Sequence, residues 1–255
     1  MLNSFTGSFS FSGKRRGTFA IVNSAAQIPG ISVYFDATNN TFTPNSNDGS
    51  DITQWSDSSG ASHNANPDGG PSARPTVKTN IQNGKNVLRF DGNDNLSVSS
   101  ATYLANKTGF TMYVVARASA FLAGNTAITS SNAPGGGGKI YHNGTNWGVR
   151  IAGCTGISTV TGNNNFHLFG LVYDGNGSTN ADKVKFRFNQ QEQALTYTGT
   201  AASSTSSTIN TFYIGNENGL EYFNGDIGEV AIWTKTLSPN EITSVETYLK
   251  NKWGL

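Results

Sequence analysis

Between Tyr222 and Leu255 the apolar positions change period once, and the change predicts two different elements. Val230, Ala231, Ile232 and Trp233 form a nearly continuous run of apolar residues, mostly β-branched or aromatic. Such a run suits a strand covered on both faces. Beyond it, Ile242, Val245, Tyr248 and Leu249 recur at helical spacing. Ser238 fits the N-cap, Pro239 the first helical position, and Glu241 completes a capping box. Lys250 and Lys252 complement the negative end of the helix dipole and Gly254 stops the turn. A buried strand followed by one helix at the end of a β-rich chain reads as a closing element, with Ile242, Val245 and Leu249 packed on the outside of a sheet.

Upstream, short apolar segments alternate with Gly, Asn, Asp and Ser clusters and predict strands near 31–35, 87–90, 96–98, 110–117, 127–130, 147–151, 167–173, 183–189, 194–197, 212–214 and 227–233. In one of them Val184, Phe186 and Phe188 alternate with Lys183, Lys185 and Arg187, so one face of that strand is wet. Many antiparallel strands and a single helix give an all-β fold, a two-sheet antiparallel jelly-roll sandwich. No repeat of fixed period argues for a propeller or a solenoid.

Residues 1–27 differ from the remainder. Phe5, Gly7, Phe9 and Phe11 alternate with Thr6, Ser8, Ser10 and Ser12, and a basic turn follows at Lys14, Arg15 and Arg16. This segment reads as an extended N-terminal arm, with the domain running over 28–255 from a boundary near Ile28-Pro29-Gly30. A strand needs partners for its backbone groups, and three phenylalanines need a place to bury their rings. The arm is therefore expected to add edge-on to another chain by β-augmentation, with the basic residues at the contact rim.

Composition narrows the function classes. Of 255 residues only 13% are charged and the net charge is +1, so no overall field points to nucleic acid as a partner. The single cysteine, Cys154, excludes a disulfide framework. The chain opens without an apolar h-region and holds no 18-residue apolar run, so neither a signal peptide nor a membrane partner is expected.

Several motifs then carry a resemblance. Trp55-Ser-Asp57-Ser-Ser59-Gly60, Arg74-Pro75 and Gly84-Lys-Asn-Val-Leu-Arg-Phe90-Asp91-Gly92-Asn-Asp94-Asn-Leu96 resemble the opening of laminin-G-like, concanavalin A-like jelly-roll domains. Phe212-Tyr-Ile-Gly215, Phe223-Asn-Gly225-Asp-Ile227-Gly-Glu229 and the helix from Leu237 to Gly254 are similar to the closing part of the same family. The resemblance covers roughly Ile28 to Leu255 and implies the fold. It does not select a function, because the fold serves sugar binding, adhesion, glycan cleavage and architecture alike.

Glucanase relatives carry Glu-x-Asp-x-x-Glu, which is absent here. Glu217 and Glu221 lie in an Asn-Glu-Asn-Gly context that reads as a turn. The spacing of Asp226 and Glu229 places them on opposite faces of a strand. His63, His142 and His167 accompany no nucleophile-elbow pattern, and His167 reads as structural. No enzyme is expected. Relatives with this fold often hold calcium at one rim, and Asp48 with Asp51, Asp91 with Asp94 and Asp174 with Asp182 supply oxygens in suitable loops. The same residues are good turn formers, so no cofactor is expected, with calcium as the alternative.

Sugar binding calls for aromatic platforms beside amides. Tyr141, His142, Asn143 and Trp147 have that composition at a hairpin tip, Trp147 also reading as core, and the glycine run 135–138 just before is a mobile connection. Tyr141, His142 and Asn143 are the expected exposed part. The expected role is a non-enzymatic structural protein of a bacteriophage particle, a decoration, fibre or tail-associated component located on the virion. Its arm, with Phe5, Phe9, Phe11, Lys14, Arg15 and Arg16, would bind other virion proteins or further copies of the chain, while the jelly roll meets a host surface glycan. The Gly/Ser-rich arm itself resembles short N-terminal segments of some marine phage virion proteins. An exported bacterial carbohydrate-binding module is the alternative.

Overall fold

The computed structural model describes residues 21–39, 41–121, 126–133 and 136–255. Among these, two antiparallel sheets pack face to face and one long helix, Pro239–Trp253, lies on the outside of the first. The first sheet has eight strands. In spatial order they are Gln191–Gln193, Val184–Phe188, His167–Asp174, Gly109–Ala118, Asn224–Trp233, Lys85–Asp91 and Thr76–Gln82, with Ile31–Asp36 also paired to Asn224–Trp233. The second sheet runs Thr196–Thr198, Cys154–Thr161, Asn146–Ile151, Lys139–His142, Thr126–Ser131, Thr211–Ile214 and Leu96–Ser99. Phe35, Phe90, Val114, Trp147, Phe186 and Ile232 belong to the core that fills the space between them. This is the jelly-roll sandwich that the alternation predicts. The predicted arm residues Phe5, Phe9, Phe11, Lys14, Arg15 and Arg16 lie outside the described residues.

The closing strand is central because both its edges are paired. Gly109–Ala118 takes one edge, while Lys85–Asp91 and Ile31–Asp36 divide the other. Every residue of Asn224–Trp233 after the first is buried, as its near-continuous apolar pattern requires. On the outer side Tyr113, Val115, Ala231 and Trp233 meet Val245, Leu249 and Trp253 of the helix in a second core.

Both helix ends follow the sequence signals. Ser238 Oγ accepts from the Glu241 N–H and the Glu241 carboxylate accepts from the Ser238 N–H at 2.8 Å. Gly254 closes the helix at φ +67°, a left-handed conformation that costs a residue with a side chain far more. Ile242 of the predicted stripe is only half-buried, while Ser244, Glu246 and Trp253 are buried as well.

Four expectations are corrected. First, Asp226 and Glu229 lie on the same face. The closing strand bulges at Gly228, so Ile227 pairs with Ala116 while Glu229 already pairs with Val115. One extra residue in a ladder returns the next side chain to the face it would have left. The bulge forms where it does because the Trp253 ring packs directly over Gly228, in space that an added Cβ would occupy.

Second, Gly136, Gly137 and Gly138 are buried rather than a mobile connection. A Cβ at Gly137 would overlap Ile209, and one at Gly138 would lie 2.6 Å from Phe110 Cζ. Third, the described end of the segment 1–27 belongs to the body of the domain. Ser24 caps the turn Ala25–Gln27, Ala25 and Ile28 are buried in the helix-side core, and the Ile28 carbonyl accepts from Trp233 Nε1 at 3.2 Å.

Fourth, the region predicted as one strand at 194–197 is a crossing between sheets. Gln191–Gln193 ends the first sheet, Thr196–Thr198 edges the second, and Tyr197 packs against the core between them.

Candidate functional site

The hairpin tip expected to carry a glycan site is mostly interior. Tyr141 and His142 are buried, 6% and 2% exposed, and Trp147 is buried at 1%. That corrects the expectation that the first two are exposed. His142 and Trp147 share a rung of paired strands and both point inward, in edge-on ring contact at 5.1 Å. His142 Nδ1 accepts from the Gly144 N–H, and burial holds its pKa below the ordinary histidine value. Asn143 remains half-exposed, but its Oδ1 is engaged in the turn, accepting from the N–H groups of Thr145 and Asn146. His167 is satisfied by Asn163 and Asn189 at 2.7 and 3.0 Å, as a structural histidine would be.

Tyr141 faces the opposite side of the second sheet, where Lys139 lies over its ring at 4.4 Å. The Lys139 ammonium is held by Glu217 at 2.5 Å and by Glu221. The structure thus brings Glu217 and Glu221 together, at the two ends of a turn bridged between Glu217 and Leu220. Both are committed to one cation. Glycoside hydrolysis needs an acid and a second carboxylate on either side of the scissile bond. Two carboxylates locked on a shared ammonium do not offer that geometry.

The acidic loop residues accept hydrogen bonds from their own turns or from the strand Thr76–Gln82. Asp91 Oδ1 accepts from Asn93 N–H, Asp94 Oδ2 from Asp91 N–H, Asp48 Oδ1 from Thr79 N–H and Asp174 Oδ1 from Asn176 N–H, while Asp182 closes a capping box with Thr179. Asp51 Oδ1 accepts from the Thr76 hydroxyl. Among the described residues no three His, Cys, Asp or Glu side chains gather in a metal-binding group.

A cleft of about 550 Å³ lies beside the closing helix. Its floor follows from three patterns. On the strand Ile31–Asp36, Tyr34 and Asp36 share one face because they are two apart. On the helix, Ser244, Tyr248 and Lys252 recur every four residues and so form one strip. The bulge at Gly228 turns Glu229 toward the same place.

The result is a buried polar network. Lys252 Nζ reaches Asp36 Oδ2 at 2.7 Å, Glu229 Oε2 at 2.8 Å and Tyr248 Oη at 3.0 Å. The Tyr34 hydroxyl donates to Glu229 at 2.7 Å, Trp253 Nε1 donates to Glu229 at 2.8 Å, and Asp36 Oδ1 accepts from the backbone and hydroxyl of Thr38. Two carboxylates face one ammonium here, so the cluster carries one negative charge in excess. Burial pushes the Glu229 carboxyl above the ordinary value against the pull of Lys252. Burial alone would lower Lys252, but Glu229 and Asp36 hold it above the ordinary lysine range.

Above this saturated floor the rim is open. Asn39 and Asn251 are exposed, Lys85 and Thr247 half-exposed, and none of the four side chains has a hydrogen-bond partner among the described residues. The wall is completed by Ile21 and Val22. The arrangement offers two amides, a hydroxyl and an ammonium around a rigid base. Neither Asp36, Glu229 nor Lys252 stands out in the sequence as a site residue. The available signal was the polar ladder Ser244–Tyr248–Lys252 running beside the apolar stripe.

Comparison with known proteins places the chain in a family. Residues 90–243 match the model of the concanavalin A-like lectin/glucanases superfamily. No curated protein sequence matches the chain. Among solved structures, domain 4 of AbnA, a GH43 extracellular arabinanase from Geobacillus stearothermophilus solved with arabinotriose, aligns with a TM-score of 0.59 and 14% identity, covering 85% of this chain and 98% of that domain. A Trypanosoma rangeli sialidase in complex with 2,3-difluorosialic acid aligns with a TM-score of 0.56 and 15% identity, over 88% of this chain but 33% of its own. The binding domain of botulinum neurotoxin DC, in complex with rat synaptotagmin II, aligns with a TM-score of 0.54 and 14% identity, over 89% of this chain and 52% of its own. The chain therefore spans about a third of the sialidase and half of the toxin domain, and at these identities the likeness is one of fold. With more than half of its length matched by the family model, the chain belongs to the concanavalin A-like lectin/glucanases superfamily.

Proposed function

We propose that the domain is a non-catalytic recognition module that binds a neutral oligosaccharide in the cleft beside the closing helix, and that it is displayed on a bacteriophage particle. The observation that carries the binding reading is the pairing of a buried, hydrogen-bonded polar floor with the side chains of Asn39, Lys85, Thr247 and Asn251, which have no partner among the described residues. Amides and hydroxyls both donate and accept, which suits vicinal diols, and a volume of about 550 Å³ admits a short oligosaccharide. The non-catalytic part is supported by the commitment of Glu217 and Glu221 to Lys139, and of Asp36 and Glu229 to Lys252. The virion setting rests on the aromatic, basic arm of the sequence.

The binding test is titration with a panel of neutral oligosaccharides. Each hydrogen-bonding group contributes on the order of 1 kcal/mol, so Asn39→Ala with Asn251→Ala should weaken binding by about tenfold or more. Unchanged affinity in that double variant overturns the site. Incubation with β-glucans and host polysaccharide should release no reducing ends. For the setting, the protein should be recovered with phage particles, whereas recovery solely as a free monomer favours the exported module.

A further inference from the structure

Thr126, His142 and Trp147 form one rung across three neighbouring strands of the second sheet, and each carries a buried polar atom with no partner. These atoms are Thr126 Oγ1, His142 Nε2 and Trp147 Nε1. At this end of the interior the Phe121 ring covers the imidazole at 4.6 Å, and Trp147 meets Phe169 of the first sheet at 4.6 Å. His142 is thus held by ring contacts and by a single hydrogen bond, from the Gly144 N–H to its Nδ1 at 3.2 Å.

That bond sets the tautomer. An imidazole nitrogen that accepts carries no proton, so the neutral ring has its hydrogen on Nε2. A second proton at Nδ1 turns the acceptor into a donor and sets N–H against N–H. The hydrogen on Nε2 brings no compensation, since that atom has no partner. A charged ring therefore cannot keep the Gly144 N–H. Burial lowers the pKa of His142, and the Thr145 backbone opposes that in part.

Gly144 lies in the turn that joins the strands Lys139–His142 and Asn146–Ile151. The turn is otherwise closed by Asn143 N–H to Asn146 O at 3.0 Å and by Asn143 Oδ1. The groups packed against the imidazole are neutral: Thr126 on one neighbouring strand, Trp147 on the other and Phe121 above. Residues 122–125 carry no charged side chain. Lys139 with Glu217 and Glu221, and Arg150 beside Lys139, belong to the opposite face of the sheet. On the interior side His167 stands two ring contacts away, 6.1 Å from Phe169, which touches Trp147.

We propose that His142 is an acid-sensitive latch: protonation of its ring releases the Gly144 N–H and opens the turn 143–145, while the closing helix and its sheet stay in place. In the opened turn the ring meets water and recovers an ordinary pKa of about 6.5, so the closed turn holds fewer protons than the open one. The closed turn is therefore fully favoured above about pH 6.5 and loses ground as pH falls below that value. The latch is independent of the helix-side cleft, which lies on the outside of the other sheet.

The test is NMR of the isotope-labelled full chain from about pH 7.5 to about pH 4.5, the range that spans histidine titration. At the upper end the ring nitrogens of His142 should report a proton on Nε2 and none on Nδ1. As the ring takes up its second proton, the Gly144 amide should shift and lose about tenfold or more of its protection against hydrogen exchange, corrected for the intrinsic rate. The amides of Val245 and Leu249 in the closing helix should hold theirs. His142→Asn places an acceptor oxygen near the position of Nδ1 and takes up no proton, so its Gly144 amide should show no such transition; His167→Gln should leave the transition in place. Where His142→Asn does not fold, the ring and amide signals of the parent protein decide. A neutral ring with its proton on Nδ1, a His142 that becomes charged with no change at Gly144, an equal pH response in His142→Asn, or its loss in His167→Gln overturns the proposal.

Discussion

Replacing Lys252 by Met separates charge from packing at the floor of the cleft. The methionine side chain retains most of the lysine stem, so little apolar contact is lost. What disappears is the one cation between Asp36 and Glu229, each almost wholly buried at 2% and 1% exposure. Removing one partner of a buried ion pair costs about 3–5 kcal/mol. Here the loss has a ceiling, because Glu229 is already pushed up by burial and can take a proton instead of remaining charged. Protonation costs about 1.4 kcal/mol for each unit between the pH and an ordinary Glu value of about 4.3, hence about 3.7 kcal/mol at pH 7.

The folded variant then carries a proton that the unfolded chain lacks, so its stability relative to the parent falls as pH rises, by about 1.4 kcal/mol per unit. Urea unfolding at pH 7 should show a loss of about 3–4 kcal/mol, shrinking to about 1 kcal/mol at pH 5. A loss of equal size at both values would mean that packing and not charge is at stake. A loss below about 0.5 kcal/mol at pH 7 would refute the buried network altogether.

Two other substitutions test neighbouring features. Burial pushes the Asp94 carboxyl up to about 6, helped by the charge of Asp91 and opposed by the Asp91 N–H. A raised carboxyl favours the folded state as pH falls through 6 toward the ordinary value near 4, so Asp94→Asn should be most stabilising relative to the parent at pH 7 and lose that advantage by pH 4 in urea midpoints. Gly228→Ala forces a methyl group into the Trp253 ring and should destabilise by about 1–3 kcal/mol in urea unfolding. A neutral result would show that the helix end gives way freely.

The closing strand and helix were legible because their signals are local. A capping box, a proline at the first helical position and a terminal glycine act within a few residues of one another, and Ser238, Pro239, Glu241 and Gly254 all take the expected places. The strands Thr76–Gln82 and Cys154–Thr161 were not legible. The second, Cys-Thr-Gly-Ile-Ser-Thr-Val-Thr, has the composition of a linker, and its strand character comes from neighbours on both sides, Asn146–Ile151 and Thr196–Thr198. At the hairpin tip, composition pointed to exposure, yet Tyr141 is covered by Lys139 and its two glutamates, which arrive from nearly eighty residues away.

The site residues were hidden for a related reason, which Glu229 shows most clearly. Alternation assigns it to the face opposite Asp226, and alternation fails there by one residue. The failure is caused by Trp253, whose ring sits over Gly228 and whose Nε1 donates to Glu229. That contact joins the end of the helix to the middle of the closing strand, and no window along the sequence contains the reason for it beside the residue it moves. The same bulge sets two ion clusters on this face. Before it, Asp226 gathers Arg89 and Arg117; after it, Glu229 joins Asp36 on Lys252, where two carboxylates share one ammonium. One extra residue in the strand therefore puts Asp226 and Glu229 on one face of the sheet, the first between two arginines and the second at the base of the cleft.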